Sequence, residues 1–136
     1  MRYPGFFLLI VTICNSVLFA PGCQAKNQLA REIGRVEFQS SGCFHQVYEE
    51  LRLVQKGAEV IATLKSTERT EQATLSNAQI YAFHLFIKQL KVLKEVNGCT
   101  TMSTYKAVVG KELIQKKDGG CSWNGFDELR KALFNK

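Results

Sequence analysis

The sequence predicts an α+β domain, a small antiparallel sheet packed on one long helix and one short C-terminal helix, with elements in the chain order β-β-β-α-β-β-α. Three observations carry this. Leu75 to Leu93, LSNAQIYAFHLFIKQLKVL, is the longest stretch with the apolar period of a helix. Alternating runs on both sides of it bracket glycine-containing turns at Gln55-Lys56-Gly57 and at Gly110-Lys111, which reads as a hairpin before the helix and a hairpin after it. The chain then closes on a helix-start signal at Asn124, followed by Phe126, Leu129 and Leu133 at helical spacing.

In chain order, Arg35 to Gln39, RVEFQ, places Val36 and Phe38 on one face of a first strand, which Ser40-Ser41-Gly42 breaks. Val47 to Val54, VYEELRLV, alternates at Val47, Leu51 and Leu53, although EELR alone would also start a helix. The next run decides for strand: Ala58 to Lys65, AEVIATLK, puts Val60, Ala62 and Leu64 on one face beside β-branched Ile61 and Thr63. Ser66 to Thr74, STERTEQAT, has no apolar side chain larger than alanine and is expected to be a solvated loop.

In the central helix Ile80, Phe83, Ile87 and Leu90 share a side, which Phe86 and Leu93 widen. Ser76 with Gln79 makes a capping box, Leu75 staples the start, Lys88, Lys91 and Lys94 favour the C-terminal end of the dipole, and Asn97-Gly98 ends the run. His84 flanks the stripe and is expected to be half-buried. Thr104 to Val109, TYKAVV, and Glu112 to Gln115, ELIQ, form the second hairpin, with Lys116 to Gly120 as a flexible turn. Asn124, with Asp127 three residues on, is expected to cap the last helix.

The 136 residues suffice for one domain. Residues 1–25, MRYPGFFLLIVTICNSVLFAPGCQA, carry Arg2 as the only charge and an apolar run from Phe6 to Ala20, too short for a membrane span of about 20 residues and placed where a signal peptide has its apolar region. Two readings of its end stay open. Ala20-Pro21-Gly22-Cys23 resembles a bacterial lipoprotein box, which implies lipidation of Cys23; cleavage after Ala25 is the other. Either implies an exported domain, secreted or facing the periplasm from a lipid anchor, with residues 26–34 as a polar tether and 35–136 as the folded unit. Without Arg2 the chain has 17 basic and 12 acidic residues, a net of +5, scattered with no basic block or aromatic-basic motif. Nucleic acid is therefore not an expected partner.

Cys43, Cys99 and Cys121 remain in the domain, and three cysteines allow three single bridges. A register centred on Gly110-Lys111 sets Cys99 nearly opposite Cys121, so that pair is favoured and Cys43 is left as a buried free thiol. A rival reading takes Cys43 and His45 as two residues on one face of a strand, a thiol beside its base, or as half of a metal site with Cys99 and Cys121. The sequence holds no GxSxG, HExxH or glycine-rich phosphate loop, so no catalytic residue, resident metal or cofactor is expected. Asp118 to Phe126, DGGCSWNGF, contains the only tryptophan. Trp123 and Phe126 either plug the end of the core or, with Asn124 and with Phe44 and His45, face a partner protein or envelope component.

In Val36 to Phe44, VEFQSSGCF, in the Leu75-Ser76 helix start and in the closing Phe126, Leu129 and Leu133, about 100 residues in all, the layout resembles emfourin, a small bacterial inhibitor of thermolysin-type metallopeptidases. Cys43 stands where that family tends to have a second glycine, and the cysteine pair and CSWNGF fall outside its pattern. The resemblance implies a shared fold and offers peptidase inhibition as an alternative to the favoured expectation, a non-catalytic binding module; it carries over no inhibitory residues.

Overall fold

The computed structural model describes residues 29–134. The expected leader, Cys23 and its lipidation, and the start of the tether lie outside the described residues. The order is β1 (Arg31–Ser41), β2 (Gln46–Lys56), β3 (Glu59–Ser66), β4 (Thr70–Thr74), α1 (Asn77–Val92), β5 (Met102–Val109), β6 (Glu112–Asp118) and α2 (Gly125–Phe134). All six strands form one antiparallel sheet in the order β4-β3-β2-β1-β5-β6. The expected α+β class holds, with a strand more than the sequence indicated.

That strand is β4, which occupies the span expected to be a solvated loop. Its pairing runs from Lys65↔Thr70 to Ile61↔Thr74 at the sheet edge, and a short, polar edge strand needs no large apolar side chain. The other differences are extensions. β1 starts at Arg31, inside the expected tether, because its register shifts between Glu32 and Gly34 and so breaks the alternation that would have revealed it. β6 continues to Asp118 through residues read as a turn, and α1 stops at Val92, before Asn97-Gly98.

Both helices cover one face of the sheet, because the strands bury alternate residues on that side. Val36, Leu51, Leu53, Ala62, Leu64, Tyr105 and Ala107 meet Phe83, Phe86, Ile87 and Leu90 of α1 and Phe126, Leu129 and Leu133 of α2. The capping box at Ser76 forms as expected: Gln79 N–H donates to the Ser76 hydroxyl at 3.3 Å, and Ser76 N–H donates to Gln79 Oε1 at 2.9 Å. Gln79 Nε2 also donates to the Ala132 and Leu133 carbonyls, 3.2 and 3.0 Å away, so the start of α1 satisfies the end of α2. From the middle of α2, Arg130 reaches buried Glu49 on β2. Among the described residues, no helix is long and apolar enough to cross a membrane.

Candidate functional site at the hairpin end of the sheet

The sheet's covered face changes character along its strands. One cross-strand row, Leu51-Val36-Ala107-Ile114, is apolar; the next, Glu49-Phe38-Tyr105-Lys116, is mixed; the third, Val47-Ser40-Ser103-Asp118, is polar at three of four positions. The core therefore opens into a polar-lined end, where β1 turns into β2.

The turn itself is the four-residue loop Gly42 to His45, closed by Gly42 N–H donating to the His45 carbonyl at 2.9 Å. At its tip Phe44 is 101% exposed, as much as in an extended peptide, and Val47 and Tyr48 just below are 38% and 46% exposed. Cys43 beside it is a free, exposed thiol. Two of these positions correct the expectation: Cys43 is not buried, and Cys43 and His45 sit in a loop and not on one face of a strand. A surface phenylalanine with no contact gains nothing for the folded state.

Behind the hairpin, Cys99 and Cys121 form the expected disulfide, with Cα atoms 5.9 Å apart. Cys99 N–H donates to the Gly119 carbonyl at 2.8 Å and Gly119 N–H to the Val96 carbonyl at 2.7 Å, so the bridge ties the segment after α1 to the end of β6. Cys121 takes a positive φ of 56° there, a conformation that an L-residue rarely adopts without outside restraint. The chain is thereby turned so that Trp123 comes back over the core.

Trp123 is half-buried, stacked on Phe86 with centroids 5.7 Å apart and edge-on to Tyr105 at 4.9 Å. Its indole lies over Gly125, in space a side chain there would need. Phe126 is 2% exposed and stacks on Phe38 at 4.7 Å. Phe126 is thus a core residue and unavailable to a partner, which corrects its place among the candidate contacts. Asn124 is exposed and its amide donates to Glu128 Oε1 at 3.2 Å, while Asp127 pairs with Arg130 at 3.1 Å, so the capping box expected at α2 does not form.

Between these aromatics and the polar row lies a cleft of about 300 Å³, lined by Phe38, Ser40, Ser103, Tyr105, Trp123 and Phe126 together with Asp118 and Asp127. Burial pushes the Tyr105 phenol up to about 12; the nearby carboxylates of Asp118 and Asp127 add to the shift, and a hydrogen bond with Ser103 opposes it. Ser40, Tyr105 and Asp118 were not distinguished by sequence reasoning. TYKAVV signals only a strand and KKDGG only a turn; the register that aligns them becomes visible in the folded sheet.

The rival metal site is not assembled among the described residues. Cys99 and Cys121 bind each other, which leaves Cys43 and His45 without the sulfur ligands that a shared metal site would require, and no group of three His, Cys, Asp or Glu side chains converges among the described residues. His84 is exposed on α1, its ring edge-on to Phe83 at 5.9 Å, instead of half-buried. On the opposite, open face, charges satisfy each other: Arg35 with Glu32 at 3.0 Å and Glu50 at 3.8 Å, Arg52 with Glu50, and Lys106 with Glu37 at 3.4 Å. Such partly exposed pairs suit a surface in contact with solvent. The distinctive surface is the hairpin end, where candidates separated by some 80 residues, Phe44 and His45 in one segment and Trp123 and Asn124 in the other, are carried to the same end of the sheet by the Ser40↔Ser103 and Ser41↔Met102 pairings and the disulfide. No protein-family profile matches the chain, and no characterised protein matches it in sequence.

Proposed function

We propose that this chain is a non-catalytic binding module, exported and lipid-anchored through Cys23, which docks a protein partner of the cell envelope by its β1–β2 hairpin end. The observation that carries the reading is the full exposure of Phe44 at the tip of a loop held by two 11-residue strands. An aromatic on a rigid support loses little conformational entropy on binding, and such residues dominate interface energies. Val47 and Tyr48 extend the contact, and exposed His45 borders it. The apolar leader with Cys23 behind it supports the address.

Affinity capture from envelope extracts with wild-type and Phe44→Ser chains tests the docking. Loss of a partner in Phe44→Ser, at unchanged melting temperature, supports it; equal recovery by both chains removes the hairpin from the interface. Membrane fractionation of wild-type and Cys23→Ala chains tests the anchor, which predicts release of the variant.

A second reading, peptidase inhibition, is favoured by the emfourin-like layout and by the same protruding tip, whose shape suits entry into an enzyme cleft. Thermolysin-type and other exported peptidases that keep full activity in excess of this protein would rule it out.

A further inference from the structure

The cleft beside the hairpin has a composition that the proposed docking does not use. Its walls are aromatic: Phe38, Tyr105, Trp123 and Phe126. Its polar groups are left with unused capacity. Asp118, only 6% exposed, spends Oδ1 on Gly120 N–H at 2.8 Å, and its second carboxylate oxygen has no hydrogen-bond partner among the described residues. Ser40, 9% exposed, lines the same cleft with a hydroxyl that makes no hydrogen bond among the described residues. Asp127 adds a second carboxylate, with one oxygen paired to Arg130.

The second Asp118 oxygen opens into the cleft, so a ligand's N–H donors can reach it and form charge-assisted bonds without further burial of the carboxylate. Of the cleft's rings, Phe38 and Trp123 are half-buried and keep surface for a ligand, which favours a cation over a neutral donor and accommodates an alkyl chain behind the charge. A volume of about 300 Å³ is at the small end of ligand sites and matches a single side-chain-sized group. From these features we infer that the cleft between β1, β5 and the start of α2 binds a primary alkylammonium group, held by Asp118 and Ser40 and packed against the half-buried ring of Trp123. The ammonium donates to the free Asp118 oxygen and to the Ser40 hydroxyl, and its methylenes lie against the rings. A lysine side chain of a polypeptide and a free aliphatic amine share this chemistry. The inference is independent of what the hairpin binds.

The single tryptophan makes the test direct, since Trp123 fluorescence reports on the cleft. The full chain is titrated with cadaverine, with N-acetyl-lysine N-methylamide and with the uncharged N-acetyl-norleucine N-methylamide. Saturable change with an ammonium probe but not with the norleucine probe is expected. Response to cadaverine alone assigns a free amine, and response to the lysine probe identifies a polypeptide source as competent. Asp118→Asn, which keeps the acceptor for Gly120 N–H, should weaken binding about tenfold or more, because a charge-assisted bond becomes a neutral one. If that variant does not fold, Asp127→Asn on the exposed surface should weaken binding about threefold by the loss of a nearby charge. Equal response to the norleucine probe, no response to either ammonium, or unchanged affinity in the folded variants overturns the inference.

Discussion

The ring of Phe83 on α1 fills the place where Gly34 on β1 would carry a side chain: a Cβ there would stand 2.6 Å from Phe83 Cζ. Helix and sheet meet at this contact, beside the irregularity in β1 between Glu32 and Gly34. Gly34→Ala should therefore destabilise the domain by about 1–3 kcal/mol, as forced overpacking does. Chemical denaturation checks this, and Phe83→Leu in the same chain should recover part of the loss, since the smaller side chain vacates the position.

Glu49 and Arg130 bind α2 to β2. The carboxylate is 6% exposed and the guanidinium 33%, at 3.1 Å. Arg130→Met leaves the carboxylate buried without its counter-charge and should cost about 1–3 kcal/mol, less than a fully buried pair because Arg130 is partly screened. The double variant Glu49→Met/Arg130→Met should be more stable than Arg130→Met, which thermal melts of the three chains will show.

The Cys99–Cys121 bridge spans a sequence separation of 22 residues. On the loop-closure account its removal costs about 3 kcal/mol. Cys99→Ser/Cys121→Ser should lower the denaturation midpoint accordingly and should loosen Trp123, visible as a red shift of its fluorescence before global unfolding.

Tyr105 gives stability a dependence on alkaline pH. Its phenol is pushed from 10.0 to about 12 in the fold, chiefly by burial. Between those values the unfolded chain has released the proton that the folded chain retains, so the unfolded state binds fewer protons and stability falls as pH rises. The contribution is complete below pH 10 and is lost towards pH 12, a change of at most about 3 kcal/mol. Denaturation across this window should show the slope, and Tyr105→Phe should flatten it.

Cys43 is exposed and unbridged. In the folded chain iodoacetamide should modify it while Cys99 and Cys121 react only after reduction, as peptide mapping will show. Protection of Cys43 in the isolated protein would mean that the hairpin end is covered by another copy of the chain.

Much of the fold could be read from local pattern alone. The α1 capping box, the apolar stripe of Phe83, Ile87 and Leu90 and the two glycine-centred hairpins are short-range features, and their physics is contained within a few residues. The favoured disulfide followed from the second hairpin's register for the same reason. β4 was hidden because an edge strand takes its place from the hydrogen bonds of its neighbour β3, which TEQAT does not encode in side-chain alternation.

The sequence by itself determined the α+β class, the order of most elements and the core stripe of α1, and it favoured Cys99 with Cys121 among three possible bridges, which the tertiary structure then settled. Only the tertiary structure decided which aromatics are available: Phe126 is buried against Phe38, and Phe44 stands in solvent, although both are phenylalanines close to a glycine. It also decided that Ser40, Tyr105 and Asp118, scattered over three strands, line one cleft. The reason is one of range: caps and turns depend on neighbours in the chain, whereas exposure and the convergence of polar groups depend on which strands lie side by side and on where the helices leave the sheet uncovered.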